Sequence, residues 1–144
     1  MVRVAILGVA LAVLVGCGDG RDPRAPVTGR VTVGGEPINE GYVVFYPLDG
    51  RRQAMGAIGE GGVYSLTTYE AGDGAFLGKH RVVIDAEHMV DPGPASLEEE
   101  IEATFAVETQ LERLAPVKYA DPGTSPLEAE VTAGGNQLDF DIGE

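Results

Sequence analysis

The residues of this chain that could bind a metal ion are few and do not cluster in the sequence. The two histidines, His80 and His88, lie eight positions apart, and Cys17 is the only cysteine. A zinc site needs three or four converging ligands. Asp73, flanked by glycines and near Glu70, could offer oxygens to calcium, but the spacing is not that of a calcium loop. We therefore expect no metal and no cofactor, and a glycine turn around Asp73.

The hydroxyl and carboxylate groups do not form a recognisable catalytic arrangement. The sequence contains no Gly-x-Ser-x-Gly segment, and the surroundings of Ser65, Ser96 and Ser125 do not indicate an activated hydroxyl. The 23 acidic residues offer many pairs, but nothing selects two of them for general acid and base roles. These patterns predict a protein that is not an enzyme.

Cys17 is informative because of the residues that precede it. The run from Val4 to Val15 carries no charged side chain. It is too short to cross a hydrocarbon core of about 30 Å at about 1.5 Å per residue, but it has the length of the apolar region of a signal peptide. The run closes with Leu14, Val15, Gly16 and Cys17. This ending resembles the lipobox of bacterial lipoprotein signal peptides.

The lipobox resemblance implies that residues 1–16 are a signal peptide, that cleavage precedes Cys17, and that Cys17 carries a thioether-linked diacylglycerol and a further acyl chain such as palmitate. Two or three acyl chains hold a protein stably on a bilayer, since each buried methylene contributes about 0.8 kcal/mol. Residues 17–26 would form a lipidated tether, and the protein would be extracytoplasmic, on a leaflet that the sequence does not indicate. The alternatives are a free thiol, a disulfide to another chain, and an uncleaved membrane anchor.

The composition predicts one acidic, turn-rich domain from Val27 to Glu144. The formal net charge of −13 argues against nucleic acid as a partner and against adsorption of the protein surface itself to an anionic membrane. The lipid must therefore supply the membrane affinity. The 21 glycines and nine prolines, with no tryptophan, indicate short extended segments joined by tight turns.

Seven segments have the alternating or continuously apolar pattern of β-strands. They are residues 27–33, 42–46, 54–58, 63–69, 79–84, 127–131 and 138–142. The run 42–46 is apolar throughout, as is typical of a central strand. Segments 54–58 and 63–69 are predicted to pair as a hairpin, and the last two segments as a terminal hairpin. The fold class that this pattern favours is all-β, a seven-stranded antiparallel β-sandwich.

One stretch departs from the strand pattern. Ser96 and Glu99 form a capping box, and Leu97, Ile101 and Phe105 follow near helical spacing. These residues predict one helical insertion over 97–113. It would either bind a partner through its apolar face or pack against an edge of the sandwich.

Four segments together resemble a known family: Val27–Ile38, Tyr42–Pro47, Gly59–Leu66 and Gly78–Val82. They are similar to the carboxypeptidase regulatory-like domain, with a transthyretin-like (prealbumin-like) sandwich, found in small lipoproteins of planctomycete-type bacteria. The resemblance covers the chain after the tether except for about 85–115. Its motifs describe how the chain bends, and a shared fold does not by itself imply an activity.

These observations predict a non-catalytic, lipid-anchored β-sandwich module of the cell envelope with a structural or protein-interaction role. Its expected partners are the membrane, through the lipid on Cys17, and an unidentified envelope protein or polymer. The alternative is a carbohydrate- or polymer-binding module that uses exposed tyrosines, with Tyr42, Tyr46 and Tyr69 as the candidate ligand surface. Three exposed aromatic rings along one groove would favour binding, and rings turned inward would favour a scaffold.

Overall fold

The computed structural model describes residues 20–90 and 110–143, where the chain forms short β-strands joined by turns. In chain order the strands are β1 (Arg24–Ala25), β2 (Val27–Val33), β3 (Glu36–Pro37), β4 (Tyr42–Pro47), β5 (Ala54–Ala57), β6 (Val63–Ser65), β7 (Ala75–Phe76), β8 (Gly78–Asp85), β9 (Glu87–Val90), β10 (Gln110–Arg113), β11 (Glu128–Val131), β12 (Asn136–Gln137) and β13 (Phe140–Ile142). Two 3-10 turns, Glu60–Gly62 and Val117–Tyr119, complete these ranges. Neither range contains a helix with the length and apolar character of a membrane span. The predicted all-β class is confirmed.

One regular sheet has four antiparallel strands in the order β11-β8-β4-β5. The predicted central strand is confirmed, since β4 pairs with β8 on one side and β5 on the other. Val43 and Phe45 of β4 are fully buried, and the intervening residues face outward because successive side chains of a strand point to opposite faces.

The second sheet is organised around β2, whose predicted bounds are those of the structure. β3 and β6 pair with β2 in antiparallel fashion. β12 and β13, from the end of the chain, pair with it in parallel, with Asn136 opposite Val27 and Phe140 opposite Val31. The prediction of a wholly antiparallel arrangement was therefore wrong. Both ends of the described chain contribute to the same sheet.

One hydrophobic core contains residues from both of these sheets. Its most buried apolar side chains, each no more than 1% exposed, include Val27, Val31, Val43, Phe45, Ala54, Tyr64, Leu66, Val82, Ile84 and Ile142. Burial of one large apolar side chain contributes about 1.5 to 3 kcal/mol. Phe140 joins the sheets, because its ring lies 6.1 Å from that of Phe45 and 6.4 Å from that of Tyr64. The hydroxyl of Tyr64 donates to the carbonyl of Leu138 at 2.5 Å.

The predicted terminal hairpin was wrong. The other predicted hairpin is confirmed only at one antiparallel bridge between its two segments, where Met55 and Thr67 exchange backbone hydrogen bonds of 2.9 Å. β5 pairs with β4, whereas β6 pairs with β2 in the other sheet. β11 pairs with β8, whereas β13 pairs with β2. Alternating patterns reveal which side chains are buried, but they do not reveal whether a glycine turn joins two strands within a sheet or passes between sheets.

The predicted helix over 97–113 falls partly outside the described residues, which omit 97–109. Its last four residues, Gln110–Arg113, form β10, and this part of the prediction was wrong. β10 pairs with β9, which places Leu111 opposite Met89. The cross-strand pairing with β9 overrides the helical spacing of the apolar residues, since local propensity is a weak prior.

The fold begins before Val27, within the segment predicted as tether. Arg24 and Ala25 form β1, which pairs with Phe76 and Ala75 of β7, and Ala25 is only 2% exposed. The predicted signal-peptide and lipidation residues, Leu14, Val15, Gly16 and Cys17, lie outside the described residues.

Candidate interaction surfaces

The three tyrosines predicted as a ligand surface lie in two separate places. Tyr42 and Tyr46 belong to β4, where strand alternation directs both toward the outer face of the four-stranded sheet. Tyr42 is 52% exposed and Tyr46 is partly exposed. Tyr69 follows Thr68 in the loop between β6 and β7 and packs against Phe76 instead. The structure therefore brings together two of the three candidates.

The outer face around Tyr42 and Tyr46 has an apolar strip. Val44 lies between the two tyrosines along β4, and Met55 of β5, which is 50% exposed, lies opposite Val44. We call Tyr42, Val44, Tyr46 and Met55 the tyrosine strip. Charged residues of β8 flank it, with Asp85 opposite Tyr42 and Arg81 opposite Tyr46. This arrangement can make aromatic and apolar contacts, and its charged flanks can accept or donate hydrogen bonds.

A shallow depression of about 310 Å³ lies at one end of the tyrosine strip. It is lined by Glu40, Gly41, Tyr42, Asp85 and Glu87. Nδ1 of the exposed His88 lies 2.9 Å from the Glu40 carboxylate, and this contact raises the pKa of His88. The depression contains three carboxylates, but within residues 20–90 and 110–143 no group of three or more metal-ligating side chains is arranged to hold an ion.

Tyr69 lies at the centre of a cluster of arginines that the sequence analysis missed. The guanidinium carbons of Arg21, Arg24 and Arg52 lie 4.7, 5.1 and 5.2 Å from the centre of its ring. The ring of Phe76 meets that of Tyr69 edge-on at 6.2 Å. The guanidinium of Arg51 stacks on Phe76 at 4.5 Å. Arginine over an aromatic face is a favourable cation–π arrangement.

Four carboxylates balance the four arginines. Arg24 pairs with Asp73 at 3.0 Å, Arg21 with Glu70 at 3.4 Å, and Arg51 with Asp49 at 2.7 Å and Asp22 at 3.7 Å. The hydrogen bonds from Arg51 hold the pKa of Asp49 below its ordinary value. We call these arginines and carboxylates, with Tyr69 and Phe76, the N-terminal cluster. Its members come from three segments, residues 21–24, 49–52 and 69–76. The pairing of β1 with β7 brings the first segment to the third, and Arg51 joins the second to them by donating to the carbonyl of Leu77 at 2.9 Å.

Asp73, the residue considered for calcium, accepts hydrogen bonds from the protein. Its carboxylate accepts from the backbone N–H of Thr68 at 2.7 Å and of Tyr69 at 3.1 Å, in addition to the ion pair with Arg24. Burial raises its pKa, but these donors outweigh burial, so that the net shift is downward. The expected glycine turn is present, since the backbone N–H of Asp73 donates to the carbonyl of Glu70.

Some of the other side chains that could take part in catalysis or ligand binding lie in the interior of the fold. His80 is fully buried, and neither ring nitrogen has a hydrogen-bond partner within the described part of the chain. The buried hydroxyl of Ser125 donates to the carbonyl of Val82. Tyr64 and Tyr119 are 1% and 8% exposed, so neither can present its ring to a ligand.

Comparison with known proteins yields no match: no family model, curated protein or solved structure is significantly similar to this chain. The tyrosine strip and the N-terminal cluster are the two surfaces from which a function can be argued.

Proposed function

We propose that this protein is a non-catalytic, lipid-anchored module of the cell envelope with a structural or protein-interaction role. The observation that carries this proposal is the sequence Leu14, Val15, Gly16, Cys17, which ends seven residues before the first strand of the fold at Arg24. The two facing sheets agree with a transthyretin-like sandwich, which we propose as the finer fold assignment. The proposed location is extracytoplasmic.

The tyrosine strip supports the interaction role. Tyr42 and Met55 each expose about half of their surface on the regular sheet, and tyrosine and methionine are enriched where proteins contact one another. The inward rings of Tyr64 and Tyr119 agree with a scaffold more than with an aromatic binding groove. We therefore propose that the outer face of this sheet contacts another envelope component.

The anchor is tested by Cys17→Ala in a bacterial host. The variant is expected to lose incorporation of labelled fatty acid and to leave the membrane fraction, because no residue remains to carry the thioether. Labelling and fractionation of both proteins are the measurement. Gln53→Ala, an exposed change far from the lipobox, is the control and should retain label and membrane association. A Cys17→Ala protein that keeps both label and membrane association would refute the anchor.

Polymer binding is the second candidate, since Tyr42 and Tyr46 share one face of β4. Stacking of sugar rings would then depend on both tyrosines. In co-sedimentation with purified envelope polysaccharide, Tyr42→Ala with Tyr46→Ala should abolish binding. Val63→Ala, a change at another exposed apolar residue, should leave binding unchanged. If the wild-type protein does not sediment with the polysaccharide, this second candidate is rejected.

A further inference from the structure

We infer that the end of the fold that carries the N-terminal cluster lies against the phospholipid head groups of the anchoring membrane. This inference rests on the proposed lipid on Cys17. It adds an orientation for the folded body and a second contact with the bilayer, made by protein side chains.

The length of chain between Cys17 and β1 limits how far this end can move from the bilayer. Arg24 lies seven positions after Cys17, and a fully extended chain spans at most about 3.5 Å per residue. Arg24 therefore stays within about 25 Å of the lipid attachment. The opposite end of the fold is farther away, because β2 alone extends about 20 Å from Val27 to Val33.

The side chains at this end suit a head-group surface. Arginine recognises phosphate oxygens through its planar fork of donors. Tyrosine has an apolar body and a polar tip, which suits the boundary between hydrocarbon and water. Tyr69 is 41% exposed, and Leu48, in the corner that leads to Arg51, is 54% exposed. Aromatic, apolar and cationic groups are thus present together beside the anchored terminus.

The distribution of charge favours the same orientation. Four arginines and four carboxylates make the N-terminal cluster neutral, so the net charge of −13 belongs to the rest of the chain. A bilayer that contains anionic lipids repels that remainder, and the repulsion acts within about 8 Å at physiological salt. The net charge disfavours adsorption of the free protein, but a tethered body is expected to turn its neutral, arginine-bearing end toward the membrane.

Substitution of Arg52 can distinguish a membrane-binding role of the N-terminal cluster from a purely structural one. Arg24 pairs with the well-shielded Asp73 and helps hold β1 in place. The exposed Arg52 contacts the ring of Tyr69 but forms no ion pair with any described residue. Substitution of Arg52 should therefore weaken membrane contact and leave the fold intact.

The test uses the full chain, purified from bacterial membranes, with the lipid on Cys17 verified by mass spectrometry. A lipid-modified Cys17 has no free thiol, so one new cysteine can be labelled selectively with a fluorophore. Gln53→Cys places the label beside Arg52, and Glu36→Cys places it at the opposite end. The proteins are reconstituted into vesicles of phosphatidylcholine and phosphatidylglycerol that carry a nitroxide on some head groups. The label at 53 is expected to be quenched strongly and the label at 36 weakly.

Arg52→Gln should lower the equilibrium constant for contact between the N-terminal cluster and the bilayer about fivefold. This change corresponds to the ~1 kcal/mol that one arginine contributes near an anionic surface. Arg30→Gln, at an exposed arginine on β2, should have little effect. Equal quenching of the two labels, or equal effects of the two arginine variants, would overturn the inference. An absent lipid on Cys17 would instead overturn the proposed anchor, so the two failures are distinguishable.

Discussion

Replacing Asp73 with alanine is expected to lower the free energy of unfolding by about 2 to 3 kcal/mol, because it leaves two backbone donors without their acceptor, at about 1 to 3 kcal/mol for a shielded donor, and removes one ion pair. The change removes the acceptor of two backbone N–H groups, those of Thr68 and Tyr69, and the ion-pair partner of Arg24. Side chains of both Arg24 and Asp73 are at most 15% exposed, so water replaces these contacts poorly.

The loop around Asp73 also holds the first strand. Gly74 has a φ of +81°, and a Cβ at this position would lie 1.8 Å from the carbonyl oxygen of Ala25. The loop therefore lies directly against β1, and loss of Asp73 should loosen the attachment of β1 to β7. Proteolysis near Arg24 should become faster in the variant than in the wild-type protein.

Urea unfolding of the two proteins at neutral pH measures the effect. Glu70→Ala is the matched control, because Glu70 lies in the same loop but its side chain is 77% exposed and makes only a 3.4 Å ion pair with Arg21. Exposed ion pairs contribute about 0 to 1 kcal/mol. Equal destabilisation by the two substitutions would contradict the role assigned to Asp73. Because its pKa is lowered on folding, its contribution is present above pH 3.8 and is lost as the pH falls below that value.

The second large effect is expected from His80. Burial lowers its pKa below the ordinary 6.5; nearby Asp49 opposes this shift and Arg51 adds to it. Below about pH 6.5 the unfolded chain therefore binds a proton at this position more readily than the native protein does. The contribution of His80 to stability should be fully present above pH 6.5 and should be lost as the pH falls below that value.

His80→Leu should raise the free energy of unfolding at neutral pH by about 1 to 3 kcal/mol, the usual penalty for a buried polar group without a hydrogen bond. The substitution should also flatten the dependence of the free energy of unfolding on pH below 6.5. Urea unfolding at several pH values measures both effects. His88→Ala is the control, because the pKa of His88 shifts in the opposite direction. Glu40 raises the pKa of this exposed histidine, so the contribution of His88 to stability is lost as the pH rises above 6.5. If His80→Leu leaves the pH dependence unchanged, His80 is not its source.

Local sequence patterns identified the strands well, because burial of one face of a strand requires an apolar residue at every second position. β2 and β4 lie where alternating valines and a continuous apolar run predicted them. The pairing was predicted poorly, because pairing depends on contacts between distant parts of the chain. The parallel attachment of β13 to β2 has no signal in either segment taken alone.

The candidate surfaces show the same contrast between features that local spacing determines and features that depend on contacts between distant segments. Tyr42 and Tyr46, two of the three tyrosines named as a candidate ligand surface, lie on the same face of β4, because residues four positions apart on a strand point to the same side. Tyr69 was grouped with them on residue type alone, and the structure places it in a different surface. The N-terminal cluster was missed because Arg21 and Arg24 meet Arg51 and Arg52 only after two distant segments come together.

The ladder between β9 and β10 has a consequence for how this protein can vary in length. Val90 lies opposite Gln110, so the chain leaves the described fold and returns to it at adjacent positions on one ladder. The ladder thus holds the two ends of the intervening segment side by side, whatever the length of chain between them. A reporter domain or an epitope inserted between these two residues is expected to leave the pairing of β9 with β10 in place, which makes this position the natural entry point for engineering the protein.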